Sequence, residues 1–464
     1  MSLQPVILCG GYGVRLWPLS SEIMPKQFLK IFNGKSLFEL TLERAFEINP
    51  KIKPIIVASQ KHEDLINDTL KRKNVKAKVL LEPMGKNTTV SIYLAAKFSQ
   101  ITDTMIVMPS DHIIPEKSTF AQMVKKVHKN FKNNFWMTFG VRPIYPSVSY
   151  GYIQVQMENE TKYKILDVKT FCEKPSLDEA IGMIKNGDYL WNSGIFMANT
   201  NFVLMSIKKH SNFNSKKIDQ IYDSIQFSKN FNNIHFDIEQ FQSLKQNSID
   251  YEVIEKEDRI KCAIMDTQWS DVGSWDNAFQ HITSKENSNN TFQIDGKNNI
   301  LNRSQKLIAT VGIDDLFIIN DYNKLLITKR NKSEKIRELV TIMENAKLNS
   351  DCTFHTVRPW GGFDIFFESE ICKVKKLTIL PRKRISLQYH NRRSEHWYVV
   401  SGTAYVHLDG NEFKLEKGKS IDIKKLSHHY LANEEKENLI VIEIQLGDYF
   451  GEDDIIRLND PYNR

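Results

Sequence analysis

Three groups of residues in this chain carry chemistry by type and spacing. The first lies within residues 5–29, where the apolar run Val6 to Cys9 enters Gly10-Gly11-Tyr12-Gly13, followed by Arg15 and by Pro25-Lys26-Gln27-Phe28-Leu29. A glycine turn after a buried strand offers backbone N–H groups to an anion, and Gly10, Gly11 and Gly13 let the backbone approach a ligand with no Cβ in the way. Arg15 and Lys26 supply two cations for the same anion, so the stretch reads as a triphosphate cradle. Its spacing is neither the dinucleotide Gly-x-Gly-x-x-Gly nor a P-loop ending in Gly-Lys-Ser/Thr.

The second group is a pair of aspartates after strand-like runs, Asp111 in Pro109-Ser110-Asp111-His112 and Asp271 in Trp269-Ser270-Asp271-Val272-Gly273. A hard cation wants carboxylate oxygen and Asp111 needs a partner, for which Asp271 is the candidate; Asp271 reads equally as the cap of a following helix. The third group is Gln388-Tyr389-His390-Asn391-Arg392-Arg393-Ser394-Glu395-His396, with His429 and Asn433 further on. On a strand Gln388 and His390 share a face, and a carboxylate with a later histidine could complete a metal site.

The elements that must position these groups follow from patterning. Ser36-Leu37-Phe38-Glu39 is a capping box opening a helix through Phe46. Residues 54–58, 79–81 and 105–108 read as buried strands, with a helix over 88–98 between the last two. Strand and helix alternation predicts a mostly parallel α/β sheet with helices on both faces and ligands at the carboxyl ends of its strands. Glu82-Pro83-Met84-Gly85-Lys86-Asn87-Thr88 sits at such an end, where Glu82, Lys86 and Asn87 could read a base edge or make a turn and cap. Tyr150-Gly151-Tyr152, Glu173-Lys174-Pro175 and Trp191-Asn192-Ser193 read plainly as a strand, a charged turn and a buried edge.

The polar stretch 284–290 marks a boundary, which divides the chain into 1–284, a β-rich connector with a helix over 285–350, and 351–464. The last segment alternates short strands with turns, as in a β-sandwich or barrel. The connector shows no chemistry.

At 464 residues the chain predicts two or three domains, and 63 Lys+Arg against 56 Asp+Glu, a net charge of +7, suits polyanionic partners. The basic residues are scattered and not interleaved with aromatics, which favours phosphosugars and nucleotides over nucleic acid. Five cysteines without paired spacing argue against a disulfide framework, and no run of about 18 apolar residues predicts a membrane span. The expectation is a cytoplasmic protein without membrane or nucleic-acid partners, and a homo-oligomer is left open.

Gly10 to Ser20 together with Pro25 to Leu29 resembles the signature of the sugar-1-phosphate nucleotidyltransferases, nearest the mannose-1-phosphate guanylyltransferases that carry a second, type II mannose-6-phosphate isomerase domain. The resemblance runs the length of the chain. It implies a Rossmann-like nucleotidyltransferase domain, a small β-rich connector and a C-terminal cupin β-barrel. It implies in-line attack by mannose 1-phosphate on the α-phosphorus of GTP, with Mg2+ on Asp111 and Asp271 and with Arg15 and Lys26 on the departing diphosphate. Glu82, Lys86 and Asn87 fall on the family's nucleotide-recognising segment. Gly151, Glu173, Lys174 and Asn192 fall on its sugar-phosphate half, with Glu173 and Asn192 on sugar hydroxyls and Lys174 on the phosphate. In the cupin it implies Gln388, His390, Glu395 and His429 as ligands of Zn2+ or another divalent metal, with Arg457 near a hexose 6-phosphate. The chain departs from the family pattern at Tyr12, Val14, Lys86, Arg392 and 424–426. A rival reading keeps the transferase with a catalytically degenerate cupin, and another keeps the reaction with a different hexose 1-phosphate.

Overall fold

A computed structural model describes residues 2–130, 134–157, 165–225, 233–282, 291–301, 307–321, 324–346 and 355–462. The boundary stretch 284–290, the division at 350 and Cys352 lie outside these residues. The chain forms two compact units, one of residues 1–320 with 324–349 and one of residues 321–323 with 350–464. Among the described residues no helix is long and apolar enough to cross a membrane.

The first unit is built on a ten-stranded sheet of β1 Leu3–Cys9, β2 Ile55–Ser59, β3 Lys78–Glu82, β4 Thr104–Pro109, β5 Trp136–Val141, β6 Gly151–Val155, β7 Ile165–Glu173, β8 Tyr189–Asn199, β9 Asn233–His235 and β10 Ile260–Ile264. The spatial order is β5-β10-β7-β6-β8-β4-β1-β2-β3-β9. β1 is parallel to both neighbours, with Val6 beside Ile55 and Leu8 beside Pro109. Along it Ile7 packs into the core on one face with Phe38, Leu42 and Val124, while Val6 packs on the other with Val90, Phe202 and Ile218. Burial on both faces is why β1 reads as a continuous apolar run.

Beyond β4 the pairing is antiparallel except between β5 and β10, which run parallel. β8 runs antiparallel to β4, β5 and β6, and β7 antiparallel to β6 and β10, so the sheet is mixed where a mostly parallel one was expected. Apolar runs signal burial but not strand direction, and short connections permit the antiparallel half.

Helix Leu37–Ile48 starts in a full capping box, the Glu39 N–H donating to Ser36 Oγ at 3.2 Å and the Ser36 N–H to Glu39 Oε2 at 2.8 Å. In the connector, Thr291–Ile294 pairs in parallel with Ile308–Val311, and Ile300–Leu301 with Leu316–Asp321, in the manner of a β-helix. Helix Ile336–Asn345 follows, and Phe317, Ile319, Ile336 and Val340 share one core with Leu16, Trp17, Val272 and Trp275.

The second unit is two antiparallel sheets around one core. The first has the order His355–Arg358, Gly361–Glu368, Cys372–Ile379, Leu439–Gly447, Arg393–Ser401, Ser420–Ile423; the second Asn411–Leu415, Ala404–Leu408, His429–Asn433, Leu387–His390, Ile455–Asn459. Trp397, Val399, Val406, Leu431 and Val441 fill the space between them. Alternating short strands and turns predict such a barrel-like pair of sheets, and the resemblance implies its cupin form.

Candidate functional site

In the first unit a cavity of about 580 Å³ opens over the carboxyl ends of β1, β3 and β4, lined by Gly10, Gly11, Glu82, Asn87, Asp111, Gly151, Glu173, Asn192 and Asp271 among others. The cradle forms one end. Gly13 has φ 68°, and a Cβ there would come within 2.4 Å of Lys26 Cβ, so the turn closes only over glycine. Lys26, 6% exposed, donates its backbone N–H to Tyr12 O at 3.1 Å, and Gln27 Nε2 donates to Gly11 O at 3.0 Å. The two halves of the opening motif are thereby locked together.

The Lys26 ammonium then reaches both aspartate loops, 2.7 Å from Asp111 Oδ2 and donating to Asp271 O at 2.9 Å. These loops meet because Ile113 and Ser270 exchange backbone hydrogen bonds at 2.9 and 3.1 Å. Asp271 Oδ1 accepts from Tyr150 Oη at 2.9 Å, the Gly273 N–H at 3.1 Å and Asn277 Nδ2 at 3.3 Å, and it is Ser274, not Asp271, that occupies the N-cap position of the following helix. Burial alone would raise the Asp111 carboxyl, but the Lys26 and His112 charges more than offset it and hold it below the usual value. Two carboxyl groups lining one cavity, with an ammonium beside Asp111, fit a hard divalent cation.

Arg15 takes a direction that its sequence context did not announce. Its Nε lies 3.1 Å from Glu334 Oε2, in the single turn Ser333–Lys335 ahead of the connector helix. The connector, read from the sequence as free of chemistry, therefore places a carboxylate on the cradle arginine.

On the nucleotide side, Glu82 ends β3 and accepts from Ser91 Oγ at 2.8 Å; burial pushes its carboxyl up to about 7. Asn87 opens helix Asn87–Lys97 in the left-handed region at φ 66°. Lys86 donates to the Gln242 and Leu244 carbonyls at 2.9 and 2.7 Å, so its ammonium holds a neighbouring segment. On the sugar side, Glu173 packs against Gly151, where a Cβ would come within 2.4 Å of Glu173 Oε2, and Lys174 Nζ stands 3.3 Å from Glu173 Oε1. Asp250, which no sequence motif singled out, bonds to Asn192 and lines the same cavity. Burial, then the Glu173 charge, pushes it up to about 7.

The second unit gathers a separate polar centre. Gln388 and His390 are buried on one face of their strand, with Gln388 in register with His429 of the neighbouring strand. His390 Nδ1 contacts Asp454 O at 3.2 Å and His429 Nδ1 contacts Ser427 O at 2.8 Å, which assigns Nδ1 as donor in both rings. The Nε2 atoms then turn to Glu395, at 3.1 Å for His390 and 3.8 Å for His429. Burial raises the Glu395 carboxyl, but the His390 hydrogen bond and the charges of His390, His429 and Arg393 carry it well below its ordinary value. With Nδ1 of each ring committed to a backbone carbonyl, both Nε2 atoms face the Glu395 carboxylate, and the three ligand atoms lie within 4.8 Å of one another. The set fits a metal ion. Arg457, in register with Gln388, lines the adjoining cavity with Arg358, Lys375 and Arg393, three cations that no sequence signal singled out. Arg392 points elsewhere, pairing with Asp448 at 3.1 Å, and Leu426 makes the turn in the left-handed region at φ 67° while donating its N–H to His390 O.

A mixed sheet with its cavity over a glycine turn and two loop aspartates is the architecture of a nucleotidyltransferase, and residues 4–289 match the family model for nucleotidyl transferases. Residues 289–343 match that of the mannose-phosphate isomerase/GMP-like β-helix domain, and 345–460 that of the mannose-6-phosphate isomerase C-terminal domain. The chain belongs to the mannose-1-phosphate guanylyltransferase family. It is 32% identical to a mannose-1-phosphate guanylyltransferase of Klebsiella pneumoniae, with 100% of each chain covered. It is 32% identical to the alginate biosynthesis protein AlgA of Pseudomonas aeruginosa, covering 99% of this chain and 97% of that one. Against the xanthan biosynthesis protein XanB of Xanthomonas campestris the identity is 33%, covering 99% of each. The fold is similar to the crystal structure of a mannose-1-phosphate geranyltransferase from Thermus thermophilus, with a TM-score of 0.63 and 24% identity over 74% of this chain and 100% of that one. Mannose-6-phosphate isomerase from Helicobacter pylori matches with a TM-score of 0.50 and 32% identity over 58% of this chain and 100% of that one.

Proposed function

We propose that the chain transfers GMP from GTP to α-D-mannose 1-phosphate, giving GDP-mannose and diphosphate, and that its second unit interconverts mannose 6-phosphate and fructose 6-phosphate. The observation that carries the transferase reading is the position of Lys26, which joins the glycine turn to both aspartate loops at hydrogen-bond distance. The turn with Arg15 and Lys26 binds the β- and γ-phosphates, and Glu82 and Asn87 face the base. Glu173, Lys174 and Asn192 hold the sugar phosphate so that its oxygen lies in line with the α-phosphorus. That oxygen is an anion at neutral pH, so no residue need remove a proton. Arg15 and Lys26 meet the charge that develops on the leaving diphosphate. Mg2+ held by Asp111 and Asp271 would neutralise the two reacting anions.

In the cupin, Gln388, His390, Glu395 and His429 would hold Zn2+ or a similar divalent ion, which would polarise the hexose carbonyl. Arg457, with Arg358 and Lys375 nearby, suits the 6-phosphate. The three-part division at 284 and 350 belongs to this reading, as does a cytoplasmic setting, which suits cysteines that are free where described. Two assays test the reading. Purified chain with GTP, mannose 1-phosphate and Mg2+ releases pyrophosphate, and with fructose 6-phosphate it yields mannose 6-phosphate. Failure of the first in metal-replete protein rejects the transferase; failure of the second alone leaves a catalytically degenerate cupin.

A further inference from the structure

Asp250 stands in the four-residue helix Ile249–Glu252, where its Oδ1 accepts from Asn192 Nδ2 at 3.0 Å. The other end of the Asn192 amide is already occupied, its Oδ1 accepting from Thr138 Oγ1 and from the Gly194 N–H, both at 3.1 Å. The amide plane is fixed in one orientation, because a flipped amide would set oxygen against the carboxylate and NH2 against an N–H. One N–H of Asn192 is left for a ligand, beside a carboxyl whose several acceptor directions are shared by Asn192 and the Asp250 backbone N–H with others to spare. Both side chains line the cavity next to Glu173.

The mount of Asp250 comes from the opposite, nucleotide side. The Ile249 N–H donates to Thr88 Oγ1 at 2.8 Å and the Thr89 N–H to Asn247 O at 3.3 Å. Lys86 adds its two bonds to the Gln242 and Leu244 carbonyls. Residues 242–250 are thus tied to the turn that opens helix Asn87–Lys97. A donor and an acceptor held side by side at fixed spacing match two neighbouring hydroxyls of a pyranose ring. A ring with one hydroxyl inverted leaves one of these polar groups without its partner.

We infer that Asp250 is a specificity-determining residue for the acceptor sugar, its carboxyl and the Asn192 amide that it aligns together reading adjacent hydroxyls of the hexose 1-phosphate. The inference rests on the proposed transfer to such a sugar, and the test separates the two. Pyrophosphate release by the full chain is measured with GTP and either mannose 1-phosphate or glucose 1-phosphate. A wild-type chain inert with both rejects the transferase reading itself. With an active wild type, Asp250→Ala raises KM for mannose 1-phosphate at least about tenfold and shrinks the preference for mannose over glucose by about the same factor, as expected for loss of a hydroxyl-reading polar group. KM for GTP stays within about twofold, because the base and triphosphate contacts lie elsewhere. Asp250→Asn keeps the acceptor toward Asn192, and so recovers part of the mannose KM while its changed second atom alters the sugar preference. Unchanged sugar KM and preference in Asp250→Ala, or an equal rise in both KM values, overturns the inference and leaves Asp250 a structural residue. Should Asp250→Ala fail to fold, an unchanged mannose-to-glucose ratio in Asp250→Asn overturns it equally.

Discussion

Lys26 and Asp111 form a close ion pair in which the buried ammonium helps hold the Asp111 carboxyl below its usual value. Removing the carboxylate strips the transferase of a proposed cation ligand and leaves the Lys26 ammonium, 6% exposed, without its closest counter-charge. Asp111→Ala is expected to lower pyrophosphate release by at least about 100-fold and to destabilise the first unit by about 1–3 kcal/mol. A coupled pyrophosphate assay and urea midpoints measure the two effects; full activity would remove Asp111 from the site. Glu82 makes a second prediction, with its sign fixed by linkage. Its folded carboxyl is raised from 4.5 to about 7, so the folded chain keeps a proton that the unfolded chain has released. That contribution to stability is present below about pH 4.5, declines as pH rises toward about 7, and is constant above. Glu82→Gln lacks the titration, so its stability advantage over wild type widens from about pH 4.5 to about pH 7 and then levels off. Parallel pH curves of the urea midpoint would contradict the shift.

Among the elements, local signals were legible in the sequence and long-range ones were not. Ser36 and Glu39 announce their helix by spacing alone, and the structure forms both halves of the box. Ser36→Ala is expected to cost about 1 kcal/mol in a denaturant titration. The glycine turn, Asp111, Glu173 and Asn192 each sit within a few residues of an apolar strand, so their gathering in one cavity follows once the strands are aligned. Asp250 lacked such a flag, because its helix is four residues long and too short to show a period. The antiparallel half of the sheet was hidden for another reason, since burial on both faces looks the same in either direction. The Arg15–Glu334 pair joins positions more than three hundred residues apart in the chain. It also yields a prediction. Triphosphate must draw Arg15 away from Glu334, so Glu334→Gln, which loses the charge, lowers KM for GTP by about two- to fivefold, as expected for a modest exposed pair. A raised KM in steady-state kinetics would show instead that Glu334 holds Arg15 in its binding pose.

At the scale of the whole molecule, two units carry two candidate centres with different side chains, carboxylates in one and imidazole with carboxylate in the other. Each cavity is lined wholly within its own unit. The activities should therefore separate. Chelation followed by Mg2+ alone restores pyrophosphate release but not hexose-phosphate isomerisation, which returns only with a transition metal such as Zn2+. His390→Ala should abolish isomerisation and leave pyrophosphate release unchanged, a pattern that parallel assays on one preparation read directly. The Arg15–Glu334 pair has a consequence of another kind. Both partners are accessible to water, with side chains 31% and 54% exposed, so dissolved ions screen this attraction as they screen that between Arg15 and GTP. Salt weakens the competitor along with the substrate, and the affinity for GTP in the intact chain is buffered against ionic strength. A plot of log KM for GTP against log salt is shallower for wild type than for Glu334→Gln.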